Sequence, residues 1–150
     1  MYTKEEAKAI KVQFWGGFKP YSKKRGRKMT SWVLKGTQIK EVQLKFDLNA
    51  EGAFVMLQID SKLDSTRLSV FVRFEKYKPV INETCGADLI WDKHYFIKGF
   101  KEVSVIYYQL KDVSILNKDD WDKCYKFFFN QMTLLEEAFL DVKEVVMHRD

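Results

Sequence analysis

A single α+β domain, with elements in the order αββαββα, is the fold class the sequence predicts. Three observations carry it. Two stretches alternate apolar and polar residues on either side of a turn signal, as antiparallel hairpins do. Three other segments space their apolar residues for one helix face. The third is size: 150 residues, 46% hydrophobic and 31% charged, suit one core and leave little room for two. Residues 1–150 are therefore read as one domain. Two Pro and seven Gly argue against a turn-dense sandwich, and 12 Phe, 7 Tyr and 4 Trp predict a ring-rich core.

Thr3-Lys-Glu-Glu6 has capping-box spacing, a hydroxyl for the third helical N–H and a Glu reaching back. Ala7, Ile10, Phe14 and Phe18 follow at helical spacing. The pattern predicts a first helix over about residues 4–18, weakened at its end by Gly16-Gly17. Lys19–Lys28 (KPYSKKRGRK) then reads as a loop between that helix and the sheet, and Met29–Leu34 as room for a short extra strand.

Val42, Leu44, Phe46 and Leu48 alternate with Glu41, Gln43, Lys45 and Asp47. Asn49–Gly52 is a turn signal, after which Ala53, Val55, Leu57 and Ile59 alternate with Phe54, Met56, Gln58 and Asp60. Setting Asp47 opposite Phe54 makes every apolar residue of one row face an apolar one. The same register places Glu41 opposite Asp60. A second helix starts at Asp64, with Leu68, Phe71, Val72, Phe74, Tyr77 and Ile81 on its apolar face. Pro79 is expected to kink or interrupt it and Gly86 to end it. The second hairpin is read as Asp88–Ile97 and Glu102–Leu110, turning at Gly99. Asn117 caps a last helix of about 30 residues, roughly 45 Å long. Trp121, Phe128, Met132, Leu135, Phe139, Val142 and Val146 trace its buried stripe.

The economical packing puts the helices on one sheet face. Phe54, Met56 and several of Trp91, Tyr95, Tyr107 and Tyr108 are then expected on the less covered face, as a partner surface. A terminal helix that overhangs a small sheet points the same way, to self-association.

Charge is local. The net +5 includes six basic side chains within Lys19–Lys28, so subtracting that segment's +6 leaves −1 for the other 140 residues. A chain that coats nucleic acid over its whole surface would spread its charge more widely. Lys19, Lys23, Lys24, Arg25, Arg27 and Lys28, with Trp32 as a stacking ring, are the candidate contact to nucleic acid or another polyanion. No apolar run is long enough for a membrane helix, and the charged N-terminus lacks a signal-peptide core. Cys85 and Cys124 stand alone and read as free thiols of a reducing compartment. The expectation is a cytoplasmic protein that contacts no membrane.

Chemistry has one foothold. Asp60-Ser-Lys62, at a strand end leading into a helix, has the D-x-K pattern in which carboxylates hold a metal and Lys stabilises developing charge. Asp47 is excluded as the second carboxylate, because the register sets it some 20 Å from Asp60. Glu41 takes that place, so Glu41, Asp60 and Lys62 are the candidate catalytic set, with Gln43 and Gln58 beside them. His94 and His148 have no partner at metal-ligand spacing. No P-loop, GxGxxG or GxSxG occurs. Neither a cofactor nor a resident metal is expected.

Several segments together resemble a bacterial family known as domain of unknown function 4268. They are EEAKAIKVQFWGGF at the start, Trp32, Gly36–Lys40, Val42–Asp47, Phe71–Phe74 and Tyr107–Trp121. The resemblance spans nearly the whole chain and rests on order and spacing, and it implies a stand-alone copy of the domain. It implies no established activity, but it does imply an association, since similar domains also follow nuclease-like regions in longer chains. The resemblance implies Glu at the position of Gln58 and a less basic segment in place of KPYSKKRGRK. The first departure weakens a metal site here, and the second makes the polycation this chain's own feature. The expected function is a non-catalytic interaction module, self-associating and contacting a polyanion through Lys19–Lys28. The competing classes are a metal-dependent nuclease using Glu41, Asp60 and Lys62, and a small-ligand binder between hairpins and helices.

Overall fold

The capping box forms as predicted: Thr3 Oγ1 accepts from the Glu6 amide at 3.0 Å and Glu6 Oε1 from the Thr3 amide at 3.1 Å. In the computed structural model, which describes residues 2–86, 88–97 and 99–148, helix α1 then runs over Lys4–Lys24. It passes through Gly16-Gly17 and Pro20, six residues beyond the predicted end. Proline forfeits the bond to the carbonyl of residue 16, but Gly16 is exposed, so that carbonyl is not buried without a partner. The added turns bury Ser22 and lay Tyr21 along the last helix, which offsets the cost. Lys19, Lys23 and Lys24 are therefore helical, and the expected basic loop begins only at Arg25. Met29–Ser31 is a single 3₁₀ turn, not a strand.

β1 (Val42–Asn49) and β2 (Gly52–Ile59) pair with Asp47 opposite Phe54, the predicted register. Pro79 does interrupt the second helix, giving α2 (Asp64–Glu75) and α3 (Lys78–Cys85), with Pro79 in the first turn of α3 where its missing N–H costs nothing. Gly86 ends α3 in the left-handed region at φ 66°. β3 (Ile90–Ile97) and β4 (Lys101–Leu110) form the second hairpin. Asn117 caps a 3₁₀ turn, Lys118–Asp120, that leads into α4 (Trp121–Met147).

The antiparallel sheet has the order β1-β2-β4-β3, so the two hairpins abut through their second strands. Phe14 and Phe18 from α1, Phe71 and Phe74 from α2, Ile81 from α3 and the α4 stripe all enter one core with Leu44, Val55, Leu57, Ile59 and Ile106. The helices thus pack on one sheet face, as expected. On the other face Phe54, Met56, Val103 and Val105 form a small separate cluster under Tyr95, Ile97 and Tyr107. Trp91 and Tyr108 belong to the main core instead, which corrects part of the expectation. The register explains this: Trp91 pairs with Ile106 and Tyr108 with Val55, both inward-facing. Period-two alternation then forces the rings inward. Trp91 accordingly meets Phe71 edge-on, and Tyr108 stacks on Phe127.

Candidate functional site

The polycation sits on a built platform. Ser22, fully buried, donates to the Arg27 carbonyl at 2.5 Å and accepts from Trp32 Nε1 at 3.1 Å. Arg27 Nη2 binds both oxygens of Glu136 on α4, at 2.8 and 3.0 Å, and the guanidinium lies 3.8 Å over the Trp32 ring. Glu136 Oε2 also accepts from the Val33 amide at 2.8 Å. The stretch 25–33 is therefore pinned at three points to α1 and α4.

These contacts change two assignments. Trp32 is 4% exposed, with Phe46 and Phe129 edge-on against it, so it is a core ring and offers no face to a base. Arg27 is a strut whose charge Glu136 neutralises. Lys19, Lys23, Lys24, Arg25 and Lys28 remain exposed, and among the described residues none makes an ion pair with a carboxylate. Arg25 stacks on Tyr21 at 3.5 Å and donates to the Tyr21 carbonyl, which fixes its direction. Lys19 and Lys23 are four residues apart and share a helix face. Five cations thus gather around the C-terminal turns of α1, where the helix dipole favours positive charge.

The D-x-K residues are placed differently. The Asp60 amide donates to the Glu41 carbonyl at 2.8 Å, so the two residues do face each other and line one open cleft with Lys35, Lys40 and Gln43. Asp60 is already paired, its carboxylate 2.5 Å from Lys101 Nζ on β4. Lys62 is exposed and does not line that cleft, so Lys101 is the ammonium at Asp60. Gln58 is buried and accepts from Lys45, and Asp47 caps the Leu48 amide at the far end of the hairpin. Among the described residues no three His, Cys, Asp or Glu side chains gather as metal ligands would. Cys85 and Cys124 are buried, and burial pushes each thiol up to about 11, so both are protonated at neutral pH.

One polar network had no sequence signature. Arg67 of α2 is 1% exposed; its Nη2 binds Glu102 Oε1 of β4 at 2.7 Å and its Nη1 the Lys93 carbonyl at 3.3 Å. Glu102 Oε1 also lies 2.6 Å from His94 Nδ1. His94 reaches it because β3 carries a bulge between Asp92 and Tyr95, which re-aims the intervening side chains. The hydrogen bond from His94, and then that from Arg67, hold the Glu102 carboxyl below its usual range. An Arg in a helix and a His in a strand give no hint that they share one carboxylate.

A family profile described as "Domain of unknown function (DUF4268)" matches residues 10–143. The chain belongs to the DUF4268 family. No curated protein matches it, and no solved structure does. The DUF4268 match takes in α1 from its second turn through nearly all of α4, so the whole sheet and the helical layer are family features. Among the described residues no helix is long and apolar enough to cross a membrane.

Proposed function

We propose that this DUF4268 chain is a non-catalytic interaction module that contacts a polyanion, nucleic acid first, through the C-terminal end of α1. One observation carries the reading: Lys19, Lys23, Lys24, Arg25 and Lys28 are exposed and unpaired among the described residues, on a backbone held rigid by Ser22 and the Arg27–Glu136 pair. A cationic patch that is already ordered binds without the entropy of fixing a loop. Arg27 and Trp32 act as its support.

Anisotropy titrations with fluorescent random oligonucleotides, single- and double-stranded, at several salt concentrations test it. Five phosphate contacts give a log–log salt slope of about −4 to −5 on duplex. Replacing the five cations by Gln should abolish binding at low salt, and each single replacement should flatten the slope by about one unit. Binding that is absent at low salt, or indifferent to the five-fold variant, would falsify the reading.

Self-association is the second part of the proposal. Phe96 and Phe100 are 61% and 93% exposed near the tip of the hairpin at the free β3 edge, an unusual display for large rings.

A further inference from the structure

α2 shows two faces. Arg67, Val70, Phe71 and Phe74 are buried. Ser65, Ser69 and Arg73, spaced four apart, run along the other side with Thr66 and Lys76, and they line a cleft of about 460 Å³ against the C-terminal end of α4. Tyr77 of the α2–α3 junction and, from the α4 side, Val145 and His148 complete the lining.

We propose that this cleft binds a phosphate-bearing small molecule. Among the described residues its polar lining consists of three aliphatic hydroxyls, one phenol, a guanidinium, an ammonium and an imidazole, with no carboxylate. The two acidic residues of α2 turn elsewhere, Asp64 toward Arg67 and Glu75 toward Lys93, each at 3.8 Å. Arg73 and Lys76 therefore put two positive charges on the cleft, which match a phosphate monoester dianion.

Arg73 is also oriented. Its Nη1 donates to the Val146 carbonyl at 2.6 Å, and among the described residues the rest of the guanidinium's fork of donors has no partner. The same bond covers a carbonyl at the negative end of the α4 dipole, which would otherwise repel an anion. A carboxylate ligand has two oxygens and would leave several of these donors unused, whereas the three terminal oxygens of a phosphate engage hydroxyls and cations together. The volume lies within the usual small-ligand range, so the cleft has room for a body of nucleoside size beyond the phosphate.

The inference is independent of the polyanion contact on α1. Amide NMR titrations of the whole chain with inorganic phosphate and with adenosine 5′-monophosphate, at constant ionic strength, test it. Saturable shifts confined to residues 65–77 and 145–148, stronger for the nucleotide, are expected. Lys76 is exposed, so Lys76→Gln should keep the urea midpoint while weakening nucleotide binding by about tenfold. The five-fold Gln variant of α1 should leave that affinity unchanged. Three outcomes overturn the assignment: no saturable shifts at tens of millimolar, the same shifts with chloride, or an oligonucleotide that displaces the nucleotide from the cleft. The last would make the cleft part of a nucleic-acid surface.

Discussion

Gly17 shows how a single hydrogen atom in place of a methyl sets a helix contact. Tyr125 Oη reaches over it to donate to the Phe14 carbonyl at 2.6 Å, and a Cβ at residue 17 would sit 3.3 Å from Tyr125 Cζ and well inside contact with the hydroxyl. Gly17→Ala is therefore expected to destabilise by about 1–3 kcal/mol despite its better helix propensity. In a Tyr125→Phe background the hydroxyl is gone, and the same change should cost much less; urea denaturation of the four proteins measures the coupling. Arg67 leads to a less intuitive expectation. Its Nε is buried without a partner, and the Lys93 carbonyl it serves also accepts from Ser104 Oγ at 2.7 Å. Arg67→Met should thus cost only about 1–2 kcal/mol, less than the about 3–5 kcal/mol of breaking a fully buried pair, because the Glu102 side chain left behind is 30% exposed and keeps His94. Glu102 sets a pH dependence. Its folded pKa lies below the ordinary 4.5, so its contribution is complete above that value and fades as pH falls through the lowered one. Urea midpoints measured down the acid range should fall less steeply in Glu102→Gln than in the parent.

At the scale of elements, the segment after α1 matters most. Three side chains, Ser22 on α1, Arg27 in the segment itself and Glu136 on α4, hold stretch 25–33. Arg27→Ala leaves Glu136 buried with only the Val33 amide as partner. The expected cost is about 2 kcal/mol, less than the about 3–5 kcal/mol of a fully buried pair because the Arg27 side chain is 21% exposed. Hydrogen exchange at Val33 should accelerate in the variant while the α2 amides stay protected. The first hairpin was legible to the residue: alternation on both sides of Asn49–Gly52 permits only one register that buries both apolar rows. Its turn depends on Gly52, which has φ 127° and faces the Leu110 backbone, a conformation and a space closed to any side chain. The end of α1 was not legible. Local signals at Gly16, Gly17 and Pro20 all favour stopping, and only the packing of Phe18, Tyr21 and Ser22 against distant residues carries the helix on.

For the whole molecule, the two sheet faces differ in kind. The helical layer buries one face; the other keeps its cluster under its own tyrosines, and the rings most open to a second copy are Phe96 and Phe100, near the hairpin tip. β3 itself is a poor edge for strand-to-strand pairing, since its bulge and the charged Asp92 and Lys93 interrupt it. Contact between copies is therefore expected through the tip. Sedimentation velocity over a range of concentrations should show association in the parent and a concentration-independent monomer in Phe96→Ser/Phe100→Ser. A parent that stays monomeric throughout would remove self-association from the proposal.

What the sequence determined by itself was the element order, both hairpins, the break at Pro79 and the concentration of charge in one segment. Each follows from neighbours within a few residues, where periodicity, turn chemistry and missing donors act directly. The tertiary structure decided the length of α1, the burial of Trp32, the pairing of Arg27 with Glu136 and of Arg67 with Glu102, and the donor-lined cleft between α2 and α4. Those outcomes depend on residues 10 to more than 100 positions apart, which desolvate or neutralise a side chain only once the core has brought them together.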